Sequence, residues 1–167
     1  MNVDPDLGEV VRQGETVTLI FRRRFARPVE KVWAALTVPE RISDWFAEAR
    51  VDRLEPGGTI QLYFTGADYR SLARIEVLDP PRTIAWTWSE LDGSKASRVR
   101  FDLEPDGDGC RLTLTHSELP ADESSGVLSG WHAHLEAVED ACDGVFTPWD
   151  TLIAREKRIA PLYAPPV

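Results

Sequence analysis

Residues 49–119, ARVDRLEPGGTIQLYFTGADYRSLARIEVLDPPRTIAWTWSELDGSKASRVRFDLEPDGDGCRLTLTHSEL, decide the fold. Turn chemistry punctuates the stretch at Glu55-Pro56-Gly57-Gly58, Thr65-Gly66, Asp79-Pro80-Pro81, Asp92-Gly93-Ser94 and Pro105-Asp106-Gly107-Asp108-Gly109. The intervals read as six strands over 51–54, 59–64, 69–78, 83–88, 97–103 and 111–117. Links this short join antiparallel neighbours, because a parallel pair needs a crossover of about a dozen residues. The stretch is therefore a meander.

On its N-terminal side, 16–25 (TVTLIFRRRF) alternates, with Val17, Leu19, Phe21 and Phe25 on one side, as a half-buried strand does. The run Arg22, Arg23, Arg24 reads as a solvated edge, since successive strand side chains point to opposite faces. A helix is expected from Pro28, with Val29, Val32, Trp33 and Leu36 on one stripe, and a second over 39–46 with Ile42, Trp45 and Phe46 at helical spacing. Beyond the meander, Val127, Leu128, Trp131, Leu135, Val138 and Cys142 form the stripe of one long helix from Asp122 or Ser124 to Asp143, stopped by Gly144. A short helix over 149–158 and an irregular Ala164-Pro165-Pro166-Val167 tail complete the reading.

The order is β-α-α-β6-α, an α+β arrangement in which a curved antiparallel seven-stranded sheet wraps a long C-terminal helix. A cavity between helix and sheet is the consequence. One domain is expected over 16–146, with an N-terminal extension, 1–15, and a C-terminal extension and tail, 147–167.

Composition narrows the function classes. The 167 residues carry 28 Asp and Glu against 19 Lys and Arg, a net charge of −9, which opposes binding to nucleic acid or anionic membranes. No stretch approaches the roughly 18 apolar residues of a membrane span, and the first residues have no basic n-region or apolar h-region. A cytoplasmic protein is the expectation. Cys110 and Cys142, without CxxC spacing, suit a reducing compartment and read as small buried hydrophobes. No motif calls for a cofactor. His132 and His134, two apart on a helix, point to opposite sides and cannot share a metal, so both are expected on the solvated surface and no metal site is assigned.

Four segments carry a family likeness: 27–46 (RPVEKVWAALTVPERISDWF), Pro56-Gly57-Gly58, 79–88 (DPPRTIAWTW), and 109–117 (GCRLTLTHS) followed by Gly130-Trp131 and Leu135. In their order and spacing the chain resembles the START-like (SRPBCC) helix-grip superfamily, and within it the heat-shock-protein-90 ATPase-activator-homologue-like branch. The resemblance implies a helix-grip fold, which hosts lipid carriers, polyketide cyclases, hormone receptors and chaperone partners. Two positions depart from the pattern: Ala73 and Glu118 stand where the superfamily usually has glycine, and both substitutions are expected to fill space near the cavity.

In grip geometry, Trp45, Phe64, Trp86, Trp88, Phe101, Leu112, Leu114, His116, Trp131 and Leu135 would converge on a ligand-binding interior. Plain core packing is the competing explanation for each aromatic. His116 continues the phase of Leu112 and Leu114 and is the best candidate for a catalytic proton carrier, although a hydrogen-bonded core histidine is the commoner role. Tyr63 and Tyr69 are further sources of a phenol group. The favoured function is binding of a small hydrophobic ligand, aromatic or lipid-like, by burial in the cavity. The alternatives are a cyclase or dehydratase using His116, and, ranked last, a co-chaperone activator of a heat-shock-protein ATPase. The segment from Thr147, with Trp149 and Tyr163, is available to cover a surface of the same chain or of a second copy in a homodimer.

Overall fold

The structure is a computed structural model that describes residues 4–163; the expected irregular tail, 164–167, lies outside the described residues. Its strands are β1 (Glu9–Gln13), β2 (Thr16–Phe25), β3 (Glu48–Val51), β4 (Thr59–Phe64), β5 (Tyr69–Asp79), β6 (Thr83–Ser89), β7 (Ser97–Asp106) and β8 (Gly109–Pro120). They form one antiparallel sheet in the order β1-β2-β8-β7-β6-β5-β4-β3. The sheet has eight strands where seven were expected. The added edge strand β1 joins β2 through Gly14, whose φ of 71° suits a two-residue hairpin turn, and every residue of β1 is exposed.

The first strand of the meander lies at 48–51 rather than 51–54. Asp52 ends it by accepting hydrogen bonds from the backbone N–H groups of Arg53 and Thr59, both 2.6 Å, so its side chain closes a loop instead of a ladder. At the other end, Asp106 pairs with Gly109 around Gly107, whose φ of 61° is cheap only for glycine.

The helices are α1 (Val29–Thr37), α2 (Pro39–Trp45), α3 (Ser124–Leu135), α4 (Val138–Cys142) and α5 (Trp149–Ile159). The expected long C-terminal helix is thus two helices. Ala137 N–H bonds to the His134 carbonyl at 2.9 Å, a tightened turn that separates α3 from α4 while Leu135 and Val138 stay buried on both sides of it. Inward-facing Leu19, Phe21, Ile75, Ile84, Val99, Phe101, Leu112 and Leu114 meet Val32, Leu135 and Val138 in the core. Burial at roughly 25 cal/mol per Å² makes this contact the main source of stability.

The arginine run is not a uniform solvated edge. Arg22 and Arg24 face solvent beside Glu9 and Asp106, but Arg23 takes the inward phase of Phe21 and Phe25 and is buried beneath the N-terminal segment. Its Nη1 donates to the Asp6 carbonyl at 2.6 Å, with the guanidinium 5.7 Å from the Phe21 ring centroid. Nor does Glu118 fill the interior. It keeps a left-handed backbone, φ 59°, and turns outward to Arg98 at 2.6 Å, whereas Ala73 is fully buried opposite Trp88.

Candidate functional site

A stripe on α3, Val127, Gly130, Trp131 and His134, recurs at i, i+3, i+4, i+7 and faces the mouth of the sheet. Opposite stand Phe64 at the end of β4, Tyr69 at the start of β5 and Trp88 on β6. Phe46, just past α2, and Trp149, the first residue of α5, close the sides of an open pocket of about 230 Å³.

The rings brace one another. Phe46 stacks on Trp131 at 5.2 Å between centroids and Phe64 on Trp88 at 5.9 Å, while Trp88 meets Trp131 edge to face at 5.6 Å. The β4–β5 connection, a single 3-10 turn over Thr65–Ala67, presents Gly66 directly against the Trp149 indole, where any Cβ would collide. That glycine is what allows α5 to reach the pocket.

A second cleft of about 280 Å³ shares Tyr69, Trp88 and Val127 with the first and is more polar, with Glu90, Lys95, Ser97, His116 and Glu123 on its walls. His116 is buried between the two. Its Nδ1 accepts the Trp131 indole N–H at 3.0 Å, and its Nε2 lies 2.7 Å from Ser97 Oγ. An indole nitrogen only donates, so Nδ1 is the bare nitrogen and the neutral ring carries its proton on Nε2, donated to Ser97. Burial pushes the His116 pKa down to about 4, so the ring is neutral near pH 7. Nε2 thus has no lone pair with which to take a proton from Ser97, and both nitrogens are occupied.

Of the residues expected to converge, Phe64, Trp88 and Trp131 meet at the aromatic pocket, and His116 borders the second cleft, stacked 5.8 Å from Trp88. Trp86, Phe101, Leu114 and Leu135 lie instead in the closed core, Leu112 is buried at the edge of a separate cleft beside Arg23, and Trp45 is buried behind a cleft that it shares with Phe46, Phe64 and Trp149. Trp45 satisfies its N–H there on the Ala35 carbonyl at 2.7 Å. Phe46, Ala67, Val127, Gly130, His134 and Trp149 complete the pocket without having been singled out for it; the α3 stripe was the signal that marks three of them. Tyr69 is on the wall, and Tyr63 is not, its hydroxyl bonding to Asp68 at 3.1 Å beneath Arg70.

The two remaining histidines are not on the solvated surface. His132 is buried under the C-terminal segment, its Nδ1 2.7 Å from the Tyr163 hydroxyl, which in turn accepts the Gly8 N–H at 2.8 Å. His134, on the opposite flank, bonds through Nδ1 to the Trp45 carbonyl at 2.9 Å. α5 and Phe46 supply the cover that a helix viewed alone does not reveal. Among the described residues no three His, Cys, Asp or Glu side chains gather as metal ligands, and Cys110 and Cys142 are both buried thiols whose pKa values burial raises. Among the described residues, no helix is long and apolar enough to cross a membrane.

CalU16 from Micromonospora echinospora is 28% identical to this chain, with 94% of each chain covered and a TM-score of 0.67. The protein encoded by gene BPP1335 from Bordetella parapertussis is 29% identical over 92% of this chain and 89% of that one, with a TM-score of 0.66. The Aha1 dimer from Colwellia psychrerythraea, 21% identical over 75% of this chain and 95% of that one, has the same fold at a TM-score of 0.64. No curated protein matches the sequence. Residues 26–142, from the entry into α1 to the end of α4, match the family described as Activator of Hsp90 ATPase homolog 1-like protein. With that span set on a helix-grip sheet, the chain belongs to the Activator of Hsp90 ATPase homolog 1-like protein family, within the START-like (SRPBCC) superfamily.

Proposed function

We propose that the protein binds a small, neutral aromatic molecule in the pocket between α3, α5 and the sheet. The observation that carries this reading is the wall itself: Phe46, Phe64, Tyr69, Trp88, Trp131 and Trp149 surround about 230 Å³ with almost entirely apolar surface, and no Lys, Arg, Asp or Glu lines it. A cavity of about 150 Å³ accepts benzene in another protein. The larger space here suits one ring or two fused rings better than a long acyl chain. Each Å² of apolar ligand surface removed from water contributes roughly 25 cal/mol.

Gly130 supports the same reading. Glycine inside a helix costs about 1 kcal/mol relative to alanine, yet a Cβ at Gly130 would meet nothing within 4 Å. The residue keeps space open on the pocket stripe where packing does not demand it. Binding is favoured over turnover because both nitrogens of His116 are already committed.

Isothermal titration with naphthalene, indole and biphenyl tests the proposal. Saturable binding near one ligand per chain is expected for at least one of them, and Gly130→Leu, which plugs the void, should abolish it while leaving the far-ultraviolet circular dichroism unchanged. Absence of binding by all three, or undiminished binding by Gly130→Leu, would overturn it.

A further inference from the structure

His134 is the one histidine on the aromatic wall, and its surroundings assign its chemistry. Its ring stands edge-on to Phe46 at 5.3 Å and to Phe64 at 6.2 Å, and 6.4 Å from Trp149. Nδ1 lies 2.9 Å from the Trp45 carbonyl. A carbonyl only accepts, so Nδ1 carries the hydrogen and Nε2 of the neutral ring presents a lone pair. Burial lowers the His134 pKa and so favours that neutral form.

Among the described residues, Nε2 has no hydrogen-bond partner. It is also open rather than sealed: the sealed, partnerless polar side-chain atoms among the described residues are Arg23 Nη2, Asp44 Oδ2, Ser71 Oγ and Arg155 Nη1. Nothing else on the wall duplicates it, because the indoles of Trp88 and Trp149 only donate and the Tyr69 hydroxyl belongs to a residue 39% exposed at the rim. An anionic ligand would find no cation there, whereas a neutral ring bearing an O–H would find a waiting acceptor.

We propose that His134 Nε2 selects a hydroxylated aromatic, a phenol-type ligand, by accepting its O–H. The inference rests on the binding reading above and adds the functional group the ligand carries. A phenol leaves water only by giving up a hydrogen bond, and the pocket returns it; the O-methylated ring gives up its own acceptor contacts and receives nothing from a bare nitrogen.

The test compares 1- and 2-naphthol with naphthalene and 1-methoxynaphthalene by isothermal titration on the full chain. The better naphthol should bind the wild type about tenfold more tightly than either non-donating probe, as one buried neutral hydrogen bond gives. His134→Asn keeps a donor for the Trp45 carbonyl at the position of Nδ1 but has no acceptor at that of Nε2, so it should lose the preference while still binding naphthalene. His134→Gln, which restores an oxygen at that reach, should recover it. Equal binding of naphthol and naphthalene by the wild type, or a preference that survives in His134→Asn, overturns this inference and leaves aromatic binding standing. If no probe binds the wild type, the binding reading falls and this inference with it. Should His134→Asn fail to fold, the wild-type comparison and His134→Gln still decide.

Discussion

Trp131 on α3 donates its indole N–H to Nδ1 of His116 on β8 across 3.0 Å, tying the pocket-facing helix to the floor of the sheet. The bond explains why a histidine is tolerated in an apolar interior: a buried indole N–H left unmatched costs about 1–3 kcal/mol, and His116 offers the acceptor. Its other nitrogen reaches Ser97 on β7 at 2.7 Å, so one side chain holds three elements in register. In this setting His116 orients the Trp131 indole.

Acid should weaken the fold before it protonates the native histidines. The His116 pKa falls from 6.5 in the unfolded chain to about 4 in the folded one, because burial disfavours the charged ring. Above the unfolded value both states are neutral and stability is full. As the pH drops below it, the unfolded chain takes up a proton that the native state refuses, and the folded state loses stability until its own pKa is reached. Between about pH 7.5 and about pH 5 the loss from His116 alone should be about 2 kcal/mol. His132 and His134, both also lowered, act in the same direction. Urea unfolding at the two pH values measures the difference, and His116→Gln should shrink it. A flat profile would contradict the assignment.

The close approach at Gly66 makes that position sensitive. Gly66→Ala would force the Trp149 indole to move, since the added methyl carbon occupies the same space. Overpacking of this kind costs about 1–3 kcal/mol. A reduced Tm together with a red-shifted tryptophan emission is expected, as Trp149 swings toward water. An unchanged emission spectrum would show that α5 does not depend on this contact.

The termini are joined through one phenol. Tyr163 accepts the Gly8 N–H at 2.8 Å and bonds to His132 at 2.7 Å, holding the C-terminal segment over the N-terminal one. Tyr163→Phe removes both bonds without removing the ring and should cost about 1–3 kcal/mol in chemical denaturation. Faster hydrogen exchange at Gly8 should accompany the loss; identical exchange would argue against the tie.

The legible parts of the sequence were those where one physical signal dominates. β4, β5, β6 and β7 begin at Thr59, Tyr69, Thr83 and Ser97, each just beyond glycine, proline or aspartate turns, and Phe64, Trp88 and Trp131 were marked by size and phase. β1 carried no such signal, because an edge strand exposed on both faces has no alternation to read. The break between α3 and α4 was hidden by the stripe Trp131, Leu135, Val138, Cys142, which keeps helical spacing across it. The pocket was only partly visible because two residues of its helical face are Gly130 and His134, which hydrophobic patterning passes over. Trp149 reaches it from another part of the chain, a matter of tertiary packing alone.

Trp149 stands on α5, beyond the span 26–142 that matches the family. Membership of the family does not by itself fix the shape of this pocket. One wall of the chamber is thus built from a part of the chain that the family match does not reach, while β4, β5, β6 and α3 behind it lie within that match.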